Sequence, residues 1–396
     1  MPRSIFQRTL SVLTVSVLAI TASGQAPSFQ PMTMDGDIDI GYGLAIGKVD
    51  ADDHVDVLLA DKTEIVWYQN PGDRTSTWKR HVMARNLTER DNVCIAARDL
   101  DGDGLVEVAV GAQWNPGETT DTQASGALFY LERPADPTGM WKSSPITPHD
   151  PTTHRMHWIK FGSNDFRLAV LPLHGIGNQN GEGKPVRVTL YGCSEENKSG
   201  WTQTVMHESM HMTHNFDILP GHDADSPEGA IVAGSEGVHW IDSPMQIAQK
   251  IDAPPSQGAG EVRIVPIEAE NAITTIEPMH GNEVVFYMHS NANGWQRQVL
   301  DASFNQGHAL ASADLLGQGR PQIVAGWRNP NSDGKVGIRM YVPNIQFTRW
   351  EQHTLDDNQM ACEDLKLCDF DADGKLDIVA AGRATKNLVL YWNQTP

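Results

Sequence analysis

The sequence predicts an all-β fold, a seven-bladed β-propeller of four-stranded blades closed by an N-terminal strand. Three observations predict it. A short β-branched and aromatic run recurs seven times, a Trp with an aliphatic residue four or five places later follows most copies, and one strand is left over at the N-terminus. Repeats of roughly 40–60 residues, each with four short strands, cannot bury both faces alone and close into a ring.

Each blade reads in the same order. Its first strand ends in an acidic turn, as in Ala96-Ala-Arg-Asp99 and Leu367-Cys-Asp369. Its second is an apolar strand such as Val108-Ala-Val-Gly, Ile231-Val-Ala-Gly, Ile323-Val-Ala-Gly or Ile378-Val-Ala-Ala-Gly. The third supplies the seven recurring runs: Ile65-Val-Trp-Tyr, Ala127-Leu-Phe-Tyr, Val188-Thr-Leu-Tyr, Val238-His-Trp-Ile, Val284-Val-Phe-Tyr, the run from Val336 to Tyr341, and Leu388-Val-Leu-Tyr-Trp. Their residue types favour strands. The fourth begins at Trp78, Trp141, Trp201, Trp295 or Trp350, and Met245-Gln-Ile-Ala fills the long interval between Trp201 and Trp295. The last repeat stops at Trp392-Asn-Gln-Thr-Pro, before its fourth strand, and Phe29-Gln-Pro-Met-Thr-Met supplies the missing one.

The first residues read as a signal peptide. Arg3 and Arg8 precede the short apolar run Leu10 to Ala22, and small residues lead to a cleavage site near Ala26. The run is too short to span a bilayer. The expected mature chain is therefore one exported domain, residues 27–396, periplasmic or secreted and without a membrane anchor. The full sequence has a net charge of −20, which argues against a nucleic-acid reader, because such proteins gain most of their affinity by neutralising phosphates. Four cysteines make no disulfide framework in a chain of 396 residues. Cys362 and Cys368 share one predicted strand, too far apart to bridge.

The acidic turns are Asp99-Leu-Asp101-Gly-Asp103-Gly in blade two and Asp369-Phe-Asp371-Ala-Asp373-Gly in blade seven, the latter followed by Asp377. Alternating carboxylates around a glycine suit Ca²⁺, which takes six to eight oxygens. They equally suit an Asx-stabilised hairpin with no ion. At these turns the chain resembles the FG-GAP or VCBS-type repeat propellers. The phrases Pro172-Leu-His174-Gly, Thr213-His214-Asn-Phe-Asp217, Ile276-Glu-Pro-Met-His280-Gly-Asn and Gly307-His308-Ala-Leu are similar to secreted sugar-modifying proteins related to aldos-2-ulose dehydratase. That resemblance implies a metal-assisted elimination on a keto-sugar.

Aligning the repeats on the turn locates the start of each innermost strand at one mouth of the channel. The residues found there are Leu44, Val93 beside Asn92, His154, His214, Gly260 beside Glu261, His308 and Glu363. His154, His214, His308 and Glu363 therefore form a candidate centre for a Zn-like divalent metal. A second ring follows the second strands: Lys62, Gln113, His174, Glu236, His280, Arg328 and Arg383. Its seven members are all polar or ionisable, which suits a polar ligand.

The expected activity is that of a metal-assisted lyase or dehydratase acting on a keto or uronic sugar, with a small sugar or oligosaccharide as partner. His174 or His280 serves as base with the other as acid. Arg328, Arg383 and Lys62 hold substrate oxygens, and Glu236 or Glu363 binds hydroxyls or orients a histidine. The alternative is a non-catalytic glycan- or protein-binding propeller, since this fold hosts many activities.

Overall fold

The computed structural model describes residues 26–396, apart from 164, 179, 195–196, 224, 243–248, 252–257 and 269–270. The expected signal peptide and the Met245–Ala248 segment lie outside the described residues.

Seven four-stranded antiparallel sheets form the blades, and no helix occurs among the described residues. The innermost strands are Gly43–Gly47, Cys94–Arg98, Thr153–Gly162, Thr213–Leu219, Glu261–Ile264, Gly307–Ala313 and Cys362–Cys368. Each touches the innermost strand of the next blade, and the last touches the first, so the ring is closed. The closing blade is a composite. Phe29–Asp35 pairs antiparallel with Asn387–Asn393, with Phe29 opposite Asn393, and supplies the outer strand that the C-terminus lacks.

Seven apolar clusters fill the seven gaps between blades. Trp67 and Met83 of blade one pack with Val108 and Val110 of blade two, and Leu388 and Trp392 of blade seven pack with Leu59 and Tyr68 of blade one. The remaining five gaps are filled in the same way. The recurring tyrosine of the third strand carries a polar tip into these cores. Tyr68 donates to Asp35 (2.7 Å), Tyr341 to Asp301 (2.7 Å) and Tyr391 to Asp356 (2.9 Å), which satisfies a hydroxyl that burial would otherwise penalise.

A carboxylate at the head of the second strand staples the preceding turn. Asp56 accepts Val49 N–H, Glu107 accepts Leu100 N–H and Asp377 accepts Phe370 N–H. Cys94, Cys362 and Cys368 are free thiols. Cys362 and Cys368 sit at opposite ends of one strand.

Candidate functional site

His154, His214, His308 and Glu363 are each the second residue of an innermost strand, in blades three, four, six and seven. At each of the four the pairing with the second strand shifts register: between Thr153 and Arg155, Thr213 and Asn215, Gly307 and Ala309, and Cys362 and Asp364. The corresponding pairings in blades one, two and five run without a shift. An extra residue in one strand of a pair bends that strand and re-aims its side chain. The bulges therefore coincide with the four ionisable positions.

The histidines are oriented by backbone carbonyls. His154 Nδ1 lies 2.7 Å from the His214 carbonyl, His214 Nδ1 3.0 Å from the Gly260 carbonyl, and His308 Nδ1 2.6 Å from the Glu363 carbonyl. A carbonyl only accepts, so each Nδ1 carries the proton and each Nε2 keeps a lone pair. Behind His214 the Glu261 carboxylate stands 3.2 Å from the same Nδ1. A carboxylate backing a histidine in this way fixes ring orientation in metal centres.

One ring nitrogen from each of His214, His280 and His308 lies within 4.8 Å of the other two. The tightest approach is His280 Nε2 to His214 Nε2, 2.5 Å. His280 arrives from the loop after the second strand of blade five, a loop held by two close backbone approaches. A Cβ on Gly281 would collide with the Glu277 carbonyl, and one on Gly260 with the Met279 carbonyl.

Burial favours the neutral form of all four imidazoles. Burial, reinforced by Arg155, pushes His154 and His214 well below the usual histidine range; burial and then Arg328 do the same to His308. His280 is lowered to about 2, first by burial and then by His214 and Arg328. Neutral imidazoles whose Nδ1 protons are committed elsewhere are lone-pair donors. His214 and His308 are in that state, and His280 joins them when its proton is on Nδ1. A divalent ion with Zn–N bonds of about 2.0–2.1 Å fits such a donor set, whereas burial disfavours a proton in its place.

Beside the imidazoles sits a clamp. Glu363, 2% exposed, accepts Arg328 Nη1 on both oxygens (2.9 and 2.8 Å) and Arg383 Nη1 at 3.0 Å. Arg328 Nη2 also donates to Gln306 (3.0 Å). The Glu363 carboxylate is 3.9 Å from His308 Nε2. Arg328, Glu363, Arg383 and His308 line a cavity of about 140 Å³ together with Tyr42, Val93, Trp114, His154, Arg155 and His280. Trp114 stacks on His154 with ring centres 5.0 Å apart. Tyr42 donates to Asp91 (3.1 Å), and burial is the main reason its hydroxyl is raised to about 12.

The structure groups the predicted residues differently from the sequence. His280, read as base or acid, stands with His214 and His308; His154, read as a ligand, stands beside that trio, its ring centre 4.6 Å from that of His214. Of the second ring, His280, Arg328 and Arg383 line the cavity, and His174, Glu236 and Lys62 do not. His174 forms a β-bridge with Met212 and has a buried Nδ1 without a partner. Glu236 accepts from His211, through both its backbone N–H and its ring Nδ1. The Lys62 carbonyl receives Asn92 N–H. Tyr42, Trp114 and Arg155 were missed. Arg155 follows His154 directly, and that adjacency was the available signal.

In the acidic turns the closely spaced carboxylates are Asp99, Asp101 and Glu107 in blade two and Asp369, Asp371 and Asp377 in blade seven. Asp103 and Asp373 stand outside these groups. Asp99 accepts Gly102 and Gly104 N–H, and Asp369 accepts Asp373 and Gly374 N–H, as an Asx-stabilised hairpin requires. Arg74 from blade one ion-pairs with Asp371 and, at 2.7 Å, with Asp373. Larger clefts lie elsewhere, one of about 700 Å³ between blades four and five, lined by Trp240 and Trp295. It brings together no set of three metal-ligating groups among the described residues.

Residues 125–290 match the family model for the beta-propeller domain of aldos-2-ulose dehydratase, and residues 48–110 match that for the FG-GAP-like repeat. The first stretch contains His154, His214 and His280; the second contains the turn from Asp99 to Glu107. No curated protein matches the chain.

Proposed function

We propose that this protein is an exported, metal-assisted lyase or dehydratase that eliminates water, or a glycosidic oxygen, next to a carbonyl of an oxidised sugar. The observation that carries the reading is the convergence of His214, His280 and His308, two of which, His280 and His308, line one cavity with the Arg328–Glu363–Arg383 clamp. The matched propeller of a sugar dehydratase supports the choice of sugar as substrate, and the basic and apolar N-terminus supports export.

The metal, bound through three imidazoles, would polarise a carbonyl oxygen and so acidify the adjacent C–H. His154, neutral and with Nδ1 committed to the His214 carbonyl, presents Nε2 as the proton acceptor. It takes the proton from the carbon next to the carbonyl, and the C–H electron pair becomes the new C=C bond. The C–O bond on the next carbon breaks, and the imidazolium returns the proton to the departing oxygen. No oxidant or net acid is consumed. A buried imidazole is a weak base, which the acidified C–H offsets, and its conjugate acid is correspondingly strong, which suits the return step. Trp114 holds the His154 ring from one face, and the clamp guanidiniums bind substrate oxygens.

A second reading, a non-catalytic glycan-binding module, draws on the cleft lined by Trp240 and Trp295, since indole rings suit sugar rings. Zinc-loaded protein incubated with a panel of keto and uronic sugars separates the two. The lyase reading expects a conjugated unsaturated product, seen by ultraviolet absorbance and lost in His154→Ala. Sugar binding without product from any member of the panel would favour the binding module.

A further inference from the structure

We infer that the sugar taken by this cavity carries a carboxylate, and that Arg383 is the residue that reads it. The inference rests on the lyase reading and narrows its substrate to the uronic class.

The first ground is charge. Three guanidiniums, Arg155, Arg328 and Arg383, line the cavity against one carboxylate, Glu363. The molecule as a whole is strongly acidic, with a net charge of −20. The nearby buried carboxylates lie outside the cavity lining and have hydrogen-bond partners of their own, Glu261 through Oε2 alone. Glu261 accepts Asn215 (2.6 Å) and Arg263 (3.2 Å), and Asp364 accepts Lys366 (2.8 Å) and Leu44 N–H (2.8 Å). Arg155 donates to the His154 carbonyl (2.9 Å) and forms no ion pair among the described residues. A neutral keto-sugar would not need this surplus of cations, and an anion would be drawn to it.

The second ground is donor supply. Arg328 is 14% exposed and divides its donors between both Glu363 oxygens and Gln306. Arg383 is 40% exposed, gives Nη1 to Glu363, and lies over the Tyr42 ring at 5.3 Å. A guanidinium carries five N–H donors in a flat fork. Arg383 lines the cavity, gives a donor to Glu363 and interacts with Tyr42, and a fork with donors to spare matches a carboxylate in a two-point contact. Glu363 shows what Arg383 recognises: it is a carboxylate held at 3.0 Å, and a substrate carboxylate would add a second one on the open side. Neutralising a uronate carboxylate also acidifies the C–H beside it, which is the proton the elimination removes.

The test is calorimetric titration of zinc-loaded protein with trigalacturonate and with its methyl ester, which differ only at the carboxylates. The wild type is expected to bind the acid roughly tenfold tighter than the ester. Arg383→Gln should bring the two affinities together, and Arg383→Lys, which keeps the charge and loses the fork, should fall between. Equal binding of acid and ester by the wild type overturns the inference, as does an undiminished preference in Arg383→Gln. Dehydration of a neutral keto-sugar with no binding of the acid overturns the inference and leaves the lyase reading standing. Failure of acid, ester and neutral keto-sugar alike, in binding and in turnover, overturns both.

Discussion

His308 Nδ1 sits 2.6 Å from the backbone carbonyl of Glu363, so the residue that closes the clamp in blade seven also fixes the tautomer of the imidazole in blade six. The same device joins His154 to His214 and His214 to Gly260. Each imidazole is thus aimed by the next blade. Because the link runs through the main chain, Glu363→Gln should preserve metal binding, while Arg328 and Arg383 lose the carboxylate that positions them, so that the preference for an acidic over a neutral sugar should change by about tenfold. Parallel metal analysis and sugar titration check both halves.

Gly281→Ala tests how His280 is held. A Cβ there meets the Glu277 carbonyl, and backbone cannot yield as a flexible side chain would. The loop must shift, withdrawing His280 from His214 and His308. The expected result is a loss of metal affinity with a stability cost of about 1–3 kcal/mol, read by metal titration and thermal melting.

Tyr341→Phe separates stability from the site. Its hydroxyl donates to Asp301 at 2.7 Å within the core, far along the chain from the imidazoles. Removing it should cost about 1–3 kcal/mol, the penalty for a buried acceptor that loses a partner. Metal content should not change, because Tyr341 touches none of the four histidines.

Asp56 sets a pH dependence. Burial is the largest influence on it and raises its carboxyl to about 7, against the two backbone N–H groups that it accepts. The unfolded carboxyl ionises near 3.9, so between about pH 4 and 7 the folded state holds the extra proton. Its contribution is most favourable below pH 4 and is lost as pH rises to 7. Asp56→Asn should flatten that part of the stability profile relative to wild type. The change should be on the order of 1 kcal/mol or more, at about 1.4 kcal/mol per pKa unit. Denaturant melts at pH 4 and pH 7 for both proteins measure it.

Calcium should act unequally on the two acidic turns. In blade seven Arg74 is paired with Asp371 and Asp373, competing with a cation at the centre of the turn, whereas in blade two Arg133 pairs with Glu107 (3.2 Å) and reaches Asp103 only at 3.8 Å, so that Asp101 has no arginine partner among the described residues. Calcium is expected to raise the melting temperature of the wild type through blade two, and Asp101→Asn should abolish the shift. Arg74→Ala should add a second, blade-seven contribution. A shift unaltered by either variant would contradict this assignment.

The fold was legible because its signal is periodic. Seven copies of the third strand and a spare strand from Phe29 leave little freedom in how the ring closes, and Phe29 indeed pairs with Asn393. The inner register was legible for the same reason: counting from the turns reached His154, His214, His308 and Glu363, and these share one position at the strand heads. What the sequence does not carry is how far a loop reaches across the channel. His174 and His280 share a Pro-x-His-Gly phrase. His280 reaches His214, but His174 is held by its bridge to Met212. The bulges at the four ionisable positions depend on how two strands of one blade pair, and the stacking of Trp114 on His154 on contact between blades; neither leaves a local pattern. Tyr42 precedes its strand and faces Asp91, which comes from the following blade, so no count along one repeat could have found it.

The most direct measurement is the metal content of the purified protein and of His280→Ala and His154→Ala, by elemental mass spectrometry. With ligands His214, His280 and His308, the wild type and His154→Ala should each carry about one transition-metal ion per chain, and His280→Ala should lose it. An absence of transition metal from the wild type, or its retention in His280→Ala with loss in His154→Ala, would contradict the three-imidazole centre.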